Sequence, residues 1–184
     1  VHTYSFDYSY LPAGTPVLDV DVRVKLTGHT FLPDLNIEVI SPSGQIADVF
    51  TLTGCTGAEW PIDVTFDDEG AGGLTQCVQL NVGGANIQPV VAPGASGQVL
   101  FSLDGTDASG IWQLRFSDNA LGDDGIIEIA GLIVTVDLPE ITAFDNCTGV
   151  SLDYIDNVVN GACGGPSPTI IRQWTATGGR ANSA

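Results

Sequence analysis

The sequence predicts an all-β protein built on a β-sandwich. Three observations carry that prediction. The 184 residues include 23 Gly and 10 Pro, which interrupt nearly every window long enough for a helix. Apolar residues recur at every second position in many runs, the period of a strand with one buried face. Turn-forming clusters separate these runs at short intervals, as in a sandwich of short strands.

The elements follow in order. Residues 1–10 alternate Tyr4, Phe6, Tyr8 and Tyr10 with Thr3, Ser5, Asp7 and Ser9, a two-sided strand. Residues 17–26 place Val20, Val22 and Val24 on one face and Asp19, Asp21, Arg23 and Lys25 on the other. Residues 35–40 alternate in the same way, and Ser41-Pro42-Ser43-Gly44 closes them with a turn that has Pro at its second position. Further strands are expected at 46–52, 63–66, 74–82, 97–103 and 111–116, the last burying Trp112, Leu114 and Phe116. Asp67-Asp68-Glu69-Gly70 and residues 118–125 read as acidic loops. A long apolar strand covers 126–136, with Gly131 marking a bulge or a close approach. Leu138-Pro139 reads as a boundary. The expected organisation is therefore an N-terminal strand segment at 1–14, a sandwich at 15–138, and an appendage at 139–184 with strands at 150–156 and 169–177. Forty-odd residues bury little core alone, so the appendage needs a partner surface.

Charge narrows the functions. Lys+Arg total 5 against Asp+Glu 22, a formal net charge of −17. Nucleic acid and anionic membrane surfaces both demand basic faces that five cations cannot build. No apolar run reaches the roughly 20 residues of a membrane span. A mean hydropathy of +0.22 argues for a packed core and against an acidic tail. What such a surface attracts is a hard cation, chiefly Ca²⁺, or a basic partner.

Cys55, Cys77, Cys147 and Cys163 form two local pairs without a CxxC and without a histidine nearby. They read as two disulfides in an oxidising, extracellular setting. Cys55–Cys77 with Cys147–Cys163 is favoured among three pairings because each closes a short loop. With no basic leader at Val1, the chain reads as a processed, secreted form. Catalysis finds no footing. The two histidines, His2 and His29, have no nucleophile elbow or metalloprotease motif beside them.

Two resemblances add to this. Leu26–Gly44 carries His29-Thr30, Asp34-Leu35, Ile37–Ile40 and Ser41-Pro42-Ser43-Gly44. Phe66–Ala71, Leu103-Asp104-Gly105, Gly110-Ile111-Trp112-Gln113-Leu114 and Asp118–Gly125 follow in order. This set resembles the P domain of the proprotein-convertase family. The resemblance implies a jelly-roll sandwich of about eight strands, a structural role for His29, and use beside a protease or within a bacterial surface protein. In the tail, Thr142–Cys147, Val150–Tyr154, Gly161–Cys163 and Thr169–Thr177 are similar to a hyaline-repeat-type Ig-like module that lacks its first and last strands.

The candidate sites follow. Asp67, Asp68 and Glu69, with Asp118, Asp123 and Asp124 and a contribution from Asp34, are expected to converge on Ca²⁺; a solvated surface of turn aspartates reads equally from the same residues. Tail carboxylates Asp145, Asp153 and Asp156 are weaker candidates. The strand holding Tyr4, Phe6, Tyr8 and Tyr10 either pairs in its own sandwich or is donated to a neighbour's incomplete module, which would build a filament. Trp60 could stack on a glycan, as well as pack. The expected function is a non-catalytic secreted or cell-surface structural protein, its partners copies of itself or other surface proteins. An accessory domain of a secreted protease and a carbohydrate-binding or adhesion module are the alternatives.

Overall fold

The computed structural model describes residues 1–51, 61–72, 80–91, 99–120, 122, 125–137, 151–159 and 169–177. The chain divides into two compact units, Val1–Asp137 and Leu138–Ala184. The first is an all-β sandwich. One sheet has five strands: β1 (His2–Asp7), β8 (Ile111–Asp118), β3 (Leu35–Ile40), β4 (Ile46–Thr51) and β7 (Val90–Val91), in that spatial order. The other has four: β6 (Asn81–Ile87), β5 (Ile62–Ala71), β2 (Val17–Thr27) and β9 (Ile126–Val136). In the second unit, β10 (Ser151–Val159) and β11 (Thr169–Thr177) pair antiparallel. Among the described residues, no helix is long and apolar enough to cross a membrane.

Period-two alternation places the core. Val20, Val22, Val24 and Leu26 point inward from one sheet, and Ile37, Val39, Trp112 and Leu114 from the other, all at most 2% exposed. Together they form one apolar cluster. Phe50 of β4 meets Phe66 of β5 across the two sheets, ring centroids 6.0 Å apart. The Trp112 indole N–H donates to the Ala108 carbonyl at 2.9 Å, which satisfies the one polar atom of that buried ring. The turn after β3 forms as its residues demand: the Gly44 N–H donates to the Ser41 carbonyl at 2.9 Å, with Gly44 at φ +86°.

The structure decides some expectations and corrects others. Of the two readings of residues 1–10, pairing within its own sandwich holds. Residues His2–Asp7 lie antiparallel on β8, with His2 opposite Phe116 and Asp7 opposite Ile111. Phe6 buries its ring in the shared core, and Tyr4 and Tyr8 pack against it, whereas Tyr10 is exposed. The aromatic face thus completes its own sandwich, because β8 offers an edge and the core a space for Phe6. Asp67-Asp68-Glu69 is not a loop but the far end of β5. Of the strand expected at 97–103, Leu100–Leu103 is instead a 3-10 turn that buries Leu100 and Leu103, and 97–98 lie outside the described residues. The bulge in β9 falls at Glu128 and not at Gly131. Gly131 is instead a close approach: a Cβ there would stand 3.3 Å from the Arg23 Cβ.

Candidate metal centre

The acidic residues come together through strand pairing. On β2, burial of Val20 and Val22 turns Asp19 and Asp21 to the opposite face. On β5, Phe66 lies opposite Val22. Beyond that last rung, β5 continues with Asp67, Asp68 and Glu69, while Asp21 and Asp19 precede Val22 on β2. Carboxylate oxygens of Asp19, Asp68 and Glu69 lie within 4.8 Å of one another. Two oxygens on one Ca²⁺, each bound at about 2.3–2.6 Å, stand at most about 5 Å apart, so the spacing suits a shared ion.

The electrostatics are those of a site short of positive charge. Burial, and then the charges of Asp19, Asp67, Asp68 and Glu69, push the Asp21 carboxyl up to about 6. Asp68 is raised chiefly by burial, with Asp19, Asp104 and Asp67 adding repulsion. Glu69 is raised chiefly by Asp68. Asp104, which follows the 3-10 turn, is raised by burial and by Asp19. Oδ1 of Asp68 and Oδ1 of Asp21 are buried without a hydrogen-bond partner. Buried oxygens of this kind are rare unless something external satisfies them, and the donor set of hard carboxylates suits Ca²⁺.

Asp67 plays a different part. Its Oδ1 accepts the Glu69 backbone N–H at 2.8 Å, and its Oδ2 accepts the Asn86 side-chain amide at 2.5 Å. Both oxygens already hold donors, so Asp67 shapes the strand end and ties β5 to β6.

The expected convergence with Asp118 and Asp34 does not occur. Asp118 pairs with Leu35 at the end of β8. Its Oδ2 stands 3.6 Å from Nε2 of His29, which follows β2. Asp34 sits nearby in the 3-10 turn Leu32–Asp34, its carbonyl accepting the Asn119 N–H. From Asp19 to Thr27 along β2 is about 26 Å at about 3.3 Å per residue. The two acidic groups therefore occupy opposite ends of one strand. Asp123 and Asp124 lie outside the described residues, as do Cys55, Cys77, Cys147, Cys163, Trp60 and Asp145, while Asp153 is exposed on β10. Asp19 is absent from the sequence-based candidates because it reads as one more outward residue of a strand. Only the β2–β5 register, a contact across some fifty residues, gives it a role.

No known protein family, curated protein or solved structure matches this chain. Evidence for its role therefore rests on the fold and on this cluster.

Proposed function

We propose that the chain is a non-catalytic, secreted or cell-surface structural protein whose sandwich is locked by Ca²⁺ held between Asp19, Asp68 and Glu69. One observation carries this reading. The partnerless, buried Oδ1 of Asp68 belongs to a cluster of three carboxylates that repel one another unless a cation joins them. A Ca²⁺ there would tie β2 to β5, strands that face each other in the middle of their sheet. The P-domain resemblance and the two sequence-local pairs of cysteines support an extracellular setting, where Ca²⁺ is plentiful. Its partners on this reading are other surface proteins or further copies of the chain.

The test is thermal unfolding of the full chain with Ca²⁺ and with a chelator. A midpoint raised by Ca²⁺ in the native chain, and unmoved by Ca²⁺ in Asp68→Asn, supports the proposal. Equal midpoints in both conditions overturn the Ca²⁺ role. Electron microscopy of the Ca²⁺-loaded chain tests self-association: ordered assemblies support copies as partners, and isolated particles overturn that part.

A further inference from the structure

The end of the sandwich opposite the acidic cluster holds a different kind of site. A pocket of about 190 Å³ opens between the two sheets there. Leu26, Leu35, Phe116 and Ile127 line it with Val1, His2 and Gly125, and His29 and Asp118 are the polar pair argued from below. His29 is only 2% exposed, and its Nε2 is buried without a hydrogen-bond partner. Its Nδ1 accepts the Phe31 backbone N–H at 3.3 Å. An imidazole that accepts at Nδ1 carries its proton on Nε2. Where His29 meets Asp118, the pocket therefore presents an N–H donor and, 3.6 Å from it, a carboxylate oxygen. That separation is too long for a hydrogen bond between the two.

The chemistry of the pair selects its ligand. A metal ion needs a lone pair on Nε2, and that atom holds the proton. A carboxylate would meet the charge of Asp118. An ammonium would face the N–H of His29. A hydroxyl does both tasks with a single atom: its oxygen accepts from Nε2–H while its hydrogen is donated to Asp118. The four apolar walls want a compact apolar body behind that hydroxyl. An apolar cavity of about 150 Å³ already holds a benzene ring, so the volume suits a single six-membered aromatic ring.

We propose that this pocket binds a small phenol, such as the ring of a tyrosine side chain, with the hydroxyl bridging His29 and Asp118. The site is independent of the Ca²⁺ cluster.

The experiment titrates the full chain with phenol and, separately, with toluene, following the His29 ring by NMR. Saturable displacement of the His29 resonances by phenol, with affinity about tenfold above toluene for the hydroxyl's hydrogen bonds, is expected. Asp118→Asn keeps a side-chain acceptor for the local turn and should bring phenol down to the toluene level. Ile127→Phe, at the half-exposed wall, should abolish both. No saturable shift, which would leave the pocket a water site, overturns the proposal. So does equal binding of phenol and toluene, or phenol binding untouched by both substitutions.

Discussion

The hydroxyl of Tyr8 donates to the backbone carbonyl of Leu132 at 3.0 Å, joining residues 124 positions apart. Leu132 lies on β9, an edge strand of its sheet. An edge strand invites other chains, and the Tyr8 hydroxyl ties this one to the segment that follows β1. Burial, with a smaller effect from Tyr10, pushes the Tyr8 hydroxyl up to about 12, so it stays a donor at any physiological pH. Tyr8→Phe should lower stability by about 1 kcal/mol, the net value of one hydrogen bond. Urea unfolding checks this: the midpoint should fall at an unchanged slope.

Calcium should act at one end of the sandwich only. An ion that binds the folded chain at about 100 times its Kd adds about 2.7 kcal/mol. Asp19→Asn and Asp68→Asn should each lose most of that gain, while Asp118→Asn keeps it. Calorimetry on the three variants, with and without Ca²⁺, gives the comparison. Loss of the gain in Asp118→Asn would place the ion at the wrong end.

The pH dependence follows from raised carboxyls. Asp21 titrates at about 6 against an ordinary value of 3.8, through burial and then neighbouring negative charge. Asp68, Glu69 and Asp104 are raised as well. A folded-state pKa above the unfolded one means the folded chain binds more protons in that window. The stability these groups contribute is present in full below the unfolded value and is lost as pH rises through the folded value. In chelator, then, the part of the unfolding free energy set by these groups should fall as pH rises from about 4 to about 7. Asp21→Asn should flatten that slope, and Ca²⁺ should offset the loss near neutrality. Denaturant titrations across this range measure it.

Two glycines separate strain from space. Gly110 has φ +126°, and a Cβ there would stand 2.8 Å from the Pro42 Cβ. Gly105 has φ +73° and open space around it. Gly105→Ala should cost about 1 kcal/mol of backbone strain and Gly110→Ala about 2–3 kcal/mol, since it adds a clash. Similar costs for the two variants would mean that Pro42 yields.

Strands whose faces alternate cleanly were legible. The run at 35–40 matches β3 in both bounds because one buried face fixes its period, and the strands at 126–136 and 169–177 match the bounds of β9 and β11. Asp67-Asp68-Glu69 misled, because three acids before a glycine look like a turn. They belong to the strand because β5 runs past them to a rung between Ala71 and Ile87 of β6, and Asn86 satisfies Asp67. The candidate site was half legible for the same reason. Its β5 acids stand out as a run, whereas Asp19 and the separation from Asp118 depend on register, which no local pattern encodes. Glu128 shows the same limit. The bulge that sets it apart lets it reach both Lys25 and Thr27, a pairing invisible until β2 and β9 are aligned.

The direction of the outer strands has a mechanical consequence. β1 begins with His2 opposite Phe116, at the His29 end. β9 ends with Val136 opposite Val17, at the Asp19 end. Tension applied between those two points runs along the strands, not across them. Such a load shears the rungs joining β1 to β8 and β9 to β2 all at once, where a peeling load would break them singly. The sandwich is thus strung like a link that resists traction along its long axis, and an ion clasping β2 to β5 would sit beside the strand that carries the strain.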